Sequence, residues 1–179
     1  MSRERGGLVI REAGSQDHAA IHEVTLAAYE EYAARMPPPL WQGYRRNIVA
    51  ALADPSPATQ LVAEADGVVV GAVLLYPAMP DAQPARPWPE VRLLAVPPAA
   101  RGRGIGAALM RECIRRARAA GATVLSLHTT DLMRVAKAMY ERMGFVRAPE
   151  LDFRPAPGVV IQGFRLDLAR RPDSTADVH

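Results

Sequence analysis

Residues Val91 to Gly121 constrain this chain more than any other stretch. An apolar run, Val91-Arg92-Leu93-Leu94-Ala95-Val96, breaks at Pro97-Pro98 and passes through Arg101-Gly102-Arg103-Gly104-Ile105-Gly106 into a long amphipathic segment that Gly121 can close. A strand feeding a glycine-rich turn and then a helix start offers backbone N–H groups beside the positive end of the helix dipole. That combination suits a phosphate. Arg101 and Arg103 sharpen the expectation. Cations oppose the dipole at a helix N-terminus, and Ala99-Ala100 bring no side-chain oxygen to cap it. The two arginines make sense there if an anion completes the turn. Otherwise they are solvent-facing side chains over a glycine bend.

The rest of the chain frames this unit. Leu8 to Glu12 reads as a first strand, and Gly14-Ser15-Gln16-Asp17 as turn and cap before a helix over about 18–34. Met36-Pro37-Pro38-Pro39 stops that helix, and a second follows over about 40–53. Asp66-Gly67 between the apolar runs 60–65 and 68–76 is a strong hairpin signal, so the second and third strands are antiparallel. The proline-rich stretch 77–89 is a surface connection whose Trp88 is expected to cover something. In the third helix, Ile105, Leu109, Cys113 and Ala117 form one apolar row, with Met110 and Ile114 beside it. Val124 to His128 is a fifth strand, reached by a right-handed parallel crossover. A fourth helix over about 133–143 ends at Gly144, and the last strands are 145–146 and 159–168, joined through 150–158. The expected architecture is mixed α/β. Its sheet is mostly antiparallel, with one central parallel pair, the fourth and fifth strands, flanked by helices. One domain over 8–168 is expected, with a flexible N-terminus at 1–7 and a flexible polar tail at 169–179.

Composition narrows the function. A hydrophobic share of 49% with 23% charged residues suits a soluble globular domain, and no apolar run approaches the ~20 residues that span a bilayer. The first residues lack the apolar core of a signal peptide. A single cysteine, Cys113, excludes an internal disulfide, makes a metal centre unexpected and points to the cytoplasm. Its place on the buried row of the third helix makes it a core thiol rather than a nucleophile. The net charge is +3, and all 22 basic residues but Lys137 are arginine, scattered among acidic ones. The densest group, Arg111, Arg115, Arg116 and Arg118, is a solvated helix face rather than a nucleic-acid stripe.

Three segments together carry a family resemblance: Leu94-Ala95-Val96-Pro97, then Arg101-Gly102-Arg103-Gly104-Ile105-Gly106, then Ala136-Lys137-Ala138-Met139-Tyr140-Glu141-Arg142-Met143-Gly144-Phe145. With the element order along 8–168, they resemble the GNAT family of N-acetyltransferases. The resemblance implies acetyl-CoA as the acetyl donor, no metal, and transfer to an amine of a small molecule or peptide. It implies that backbone amides around Arg101, Gly102, Arg103, Gly104, Ile105, Gly106 and Ala107 hold the CoA pyrophosphate. It also implies that Leu94, Ala95 and Val96 pair with the pantetheine arm, as a peptide adds to a strand edge. Tyr140 is the implied general acid, with a core tyrosine as the alternative. For the general base, Glu90 stands at the position that carries the catalytic glutamate in histone-type members; His128 and water alone stay open. Met133 departs from the family pattern, which often has Asn there to hold the pantetheine arm or an ordered water.

Tyr29, Glu30, Glu31, Tyr32, Trp41 and Tyr44 offer an aromatic and acidic surface that suits an amine acceptor, with the loops near Trp88 and Glu150 beside it. The acceptor's identity and the oligomeric state stay open, dimers being common in the resembling family. Neither a membrane nor a nucleic-acid partner is expected. Two rival functions remain. One is a non-catalytic CoA-binding or regulatory module. The other is a dinucleotide oxidoreductase, since Gly102-x-Gly104-x-x-Ala107 fits that fingerprint, although the preceding hairpin and the long link after Pro97 count against it.

Overall fold

Asp66 and Gly67 take φ of 52° and 77°, the pair of positive values that a two-residue type I′ turn needs. They join β2 (Thr59–Ala65) to β3 (Val68–Tyr76) in an antiparallel hairpin with Leu61 opposite Val73. The computed structural model describes residues 7–83 and 85–169. Apart from Gly7 and Ala169, the two tails expected from the sequence lie outside the described residues. The chain divides into two units, Met1–Tyr76 with Val91–Cys113, and Pro77–Glu90 with Ile114–His179.

In the first unit β1 (Val9–Glu12) pairs antiparallel with β2, Ile10 opposite Ala63, and β4 (Glu90–Ala95) follows β3 in the sheet order. Leu61, Val62 and Ala63 are wholly buried. Helix α1 (His18–Tyr29) buries Ile21, Val24, Ala28 and Tyr29. It is shorter than the expected 18–34. From Glu30–Arg35 the chain tightens to 3₁₀ pitch and buries nothing, which lets i→i+3 bonds take up helix-terminal carbonyls. Helix α2 (Pro38–Ala53) starts earlier than expected because its prolines occupy the first turn, where no N–H partner is required.

Helix α3 (Ile105–Ala119) buries the expected rows: Ile105, Leu109, Met110, Cys113, Ile114 and Ala117. In the second unit β5 (Val124–Thr129) pairs antiparallel with β8 (Val159–Asp167), Leu127 opposite Phe164. Between them come α4 (Arg134–Arg142), β6 (Val146–Arg147) and β7 (Phe153–Ala156), and both of these strands pair with β8. The stretch 150–158, expected as a plain connection, therefore contains a strand as well as part of a 3₁₀ turn, Pro149–Leu151. Pro155 hid it, because a proline within a short run argues for a strand only at an edge. The stretch 77–89 is likewise not wholly irregular: Met79 and Arg86 form a bridge.

Candidate functional site

In the first unit the backbone makes the distinctive geometry. Leu93 sits at φ 51° within β4, a left-handed conformation that costs a side-chain-bearing residue on the order of 1–2 kcal/mol. Such a residue bends its strand, here directly before Leu94, Ala95 and Val96. Nothing in the sequence signals it. Beyond the 3₁₀ turn Pro98–Ala100, the backbone of Gly102 and Gly104 has φ of 76° and 74°, and the space a Cβ would fill at either is open. Alternation of φ sign along a loop turns successive N–H groups to one side, the geometry of anion-binding concavities. Ala108 donates to Gly104 O at 3.0 Å, so Ile105, Gly106 and Ala107 belong to the first turn of α3, whose N–H groups have no carbonyl partner within the helix.

Arg101 and Arg103 differ. Arg103 is exposed. Arg101 lays its guanidinium along the protein surface: Nε donates to Val96 O at 3.0 Å, Nη2 to Ala28 O at 3.3 Å, and Nη1 to Glu31 Oε2 at 2.8 Å. The side chain thus fastens the start of the loop to the end of β4 and to the turn after α1. The guanidinium holds the Glu31 carboxyl below the usual carboxylate range. The Tyr29 hydroxyl donates to Leu94 O at 3.2 Å, tying the same turn to β4. Tyr32 and Tyr44 both lie edge-on to Tyr29, and Trp41 lies edge-on to Tyr44, with ring centroids 5.9–6.2 Å apart. Burial pushes the Tyr44 and Tyr32 hydroxyls upward. The expected aromatic surface is therefore one chain of rings that passes through buried Tyr29, with Glu30 and Glu31 exposed.

In the second unit the side chains converge. Glu90 is 9% exposed, and its Oε1 lies 3.3 Å from His128 Nδ1 at the end of β5. His128 Nε2 lies 2.9 Å from Leu151 O. Arg86 Nε approaches Glu90 Oε2 at 3.8 Å, and Phe153 packs edge-on against the imidazole at 5.3 Å. Glu90 and His128, separate candidates in the sequence, meet. Leu151 O and Arg86, which sequence reasoning missed, complete the cluster. Tyr140 on α4 is buried at 6% exposure, with its ring 5.9 Å from that of Phe145. Lys137, on the same helix, donates to Asp131 and Gln162 beside a cavity of about 400 Å³ lined by Asp131, Arg134, Lys137, Ala138 and Glu141. Met133 is half-buried just before α4. The nearby hydroxyls of Thr129 and Thr130 are buried with no hydrogen-bond partner.

Comparison with known proteins decides the family. Residues 18–145 match the model of the acetyltransferase (GNAT) family. The chain belongs to that family. A mycothiol acetyltransferase from Nocardia farcinica (strain IFM 10152) is 39% identical over 103 residues, 58% of this GNAT chain and 31% of the relative. The chain thus spans less than a third of the length of that curated relative. Among solved structures, a GNAT family acetyltransferase from Brucella melitensis in complex with acetyl-CoA is 32% identical, covering 79% of this chain and 84% of that one, with a TM-score of 0.60. A GNAT family acetyltransferase from Staphylococcus aureus Mu50 reaches a TM-score of 0.69 at 17% identity, covering 90% of this chain and 99% of that one, a likeness of fold. The mixed α/β GNAT fold expected from the sequence is the fold these structures share. Among the described residues, no helix is long and apolar enough to cross a membrane.

Proposed function

We propose that this chain moves the acetyl group of acetyl-CoA directly to a primary amine of a small-molecule or peptide acceptor. The observation that carries this is the Arg101–Gly106 loop. Its two open positive-φ glycines lead straight into α3, and it falls within the stretch that matches the family. The residues present fit a CoA pyrophosphate. The backbone N–H groups of Gly102 to Ala107 would hold it, with Arg103 alongside and Arg101 fixing where the loop begins. The strand end Leu94-Ala95-Val96 would take the pantetheine arm. When bound, the thioester supplies an activated acetyl carbon.

The chain's own residues then have three tasks. Glu90 takes a proton from the amine, directly or through one water, because only a neutral amine carries the electron pair that attacks. The Tyr140 hydroxyl gives a proton to the departing thiolate. Tyr32, Trp41 and Tyr44, braced by buried Tyr29, orient the acceptor together with Glu30 and Glu31. A cytoplasmic location fits the one buried cysteine.

Release of CoA thiol from acetyl-CoA across a panel of primary amines tests the proposal. Tyr140→Phe should lower kcat by about a hundredfold, the scale of one general acid, with the KM for acetyl-CoA within about twofold of wild type. Tight CoA binding without turnover on any amine would favour the second possibility, a CoA-binding regulatory module.

A further inference from the structure

We propose that His128 and Glu90 act as one proton-holding unit, in which His128 positions the Glu90 carboxylate and sets the pH at which it can accept a proton. This rests on Glu90 serving as the base. The donors decide the state of the ring. A carbonyl oxygen only accepts, so His128 Nε2, at 2.9 Å from Leu151 O, carries a hydrogen. A neutral imidazole then has a bare lone pair at Nδ1, and that lone pair faces Glu90 Oε1 at 3.3 Å. Two acceptors oppose each other. One proton in the gap turns the opposition into a hydrogen bond, charge-assisted as imidazolium with carboxylate and neutral as imidazole with carboxylic acid. Two groups this close titrate as a pair.

The surroundings keep the pair in place. Phe153 on β7 packs edge-on against the ring, and Leu151 O comes from the 3₁₀ turn before it. The charged groups facing the pair include Arg86, at 3.8 Å from Glu90 Oε2, and Asp152. Asp152 is held at about 2 chiefly by Arg147, and it also feels His128. In the reaction the amine N–H bond breaks and its electron pair stays on nitrogen for the acetyl carbon. The proton passes to Glu90 and settles between Oε1 and Nδ1. When the gap is already filled, Glu90 cannot take another proton. kcat/KM therefore falls as pH falls through the transition of the pair.

Nitrogen-15 NMR of the intact chain, with the His128 signals identified by their loss in His128→Gln, reads the pair without any acceptor. Neutral His128 should be the Nε2–H tautomer, and Glu90→Gln should lower its midpoint by about one pH unit or more, a tenfold loss in proton affinity. In turnover, the acid limb of kcat/KM should hold its position for amines of different basicity, since the group belongs to the enzyme. His128→Gln should move that limb down by about one unit and lower kcat about tenfold, with acetyl-CoA KM within about twofold. His128→Asn should move it likewise, and thermal melts of both variants report folding. An unmoved limb in folded variants, or an Nδ1–H tautomer, overturns the proposal. Wild-type turnover by Glu90→Gln also overturns it, and does so through the base assignment, since the NMR shift would still be present.

Discussion

The loop from Arg101 to Gly106, which we propose holds the CoA pyrophosphate, presents backbone amides set by φ values at Gly102 and Gly104 that few other residues adopt. The Glu90–His128 cluster offers side chains from positions 38 apart in sequence, steadied by a carbonyl from a turn and the edge of a phenylalanine. In the loop, five or six consecutive residues suffice and most side chains point to solvent. In the cluster no single stretch contains the arrangement, and each group depends on a different element. The difference teaches where mutation should hurt. The loop should be sensitive to conformation and tolerant of charge changes, and the cluster the reverse.

Gly104→Val should have the largest effect on the loop. A β-branched side chain at φ 74° carries strain of about 1–3 kcal/mol, so the KM for acetyl-CoA should rise by about tenfold or more while kcat changes far less. An unchanged KM would mean that the backbone conformation is not what holds the donor. Arg101→Ala comes next. It removes bonds to Val96 O, Ala28 O and Glu31, and hydrogen bonds of this kind contribute about 1 kcal/mol each. The KM for acetyl-CoA should rise by roughly tenfold. The acceptor KM should rise less, through the turn at 28–31.

Glu31→Gln keeps that geometry and removes only a surface charge pair, worth about 0–1 kcal/mol, so a change of about twofold in either KM is expected. If Glu31→Gln cost as much as Arg101→Ala, the loop too would depend on side-chain charge, and the contrast with the cluster would fail. The smallest effect should be common to both units. Asp17, bonded by Arg11 and the Gly14 N–H, and Asp152, bonded by Arg147 and the Gly163 N–H, are both held at about 2. Their unfolded value is about 3.9. The stability they contribute is therefore present above about pH 4 and lost as pH falls toward 2. Acid unfolding curves of Asp17→Asn and Asp152→Asn should each be flatter than wild type across that window. A slope identical to wild type would show that the bonds persist in the unfolded chain.

Much of the fold was legible because its signals are local. Asp66-Gly67 dictates a turn whatever surrounds it, and the rows Ile105-Leu109-Cys113 and Met110-Ile114 dictate which face of α3 is buried. The departures arise where a local rule meets a tertiary demand. Pro155 argues against a strand, yet β7 needs only an edge of β8. The helix expected to run to residue 34 tightens after Tyr29, where its residues cease to be buried. Gly102 and Gly104 lie in the turn that leads into α3, as the strand–turn–helix pattern suggested. Arg101 does not simply face an anion; it turns back to Ala28 and Glu31, which are about seventy positions away and beyond the reach of any spacing rule.

By itself, the sequence determined the hairpin, the strand–turn–helix unit and the family, because backbone preference and hydrophobic period are properties of neighbouring residues. Tertiary structure alone decided that Leu93 would be strained, that Arg101 would clamp a distant turn, and that Glu90 and His128 would meet. Hydrogen bonds and ion pairs between remote positions depend on distances in space, and those are set only when the elements pack.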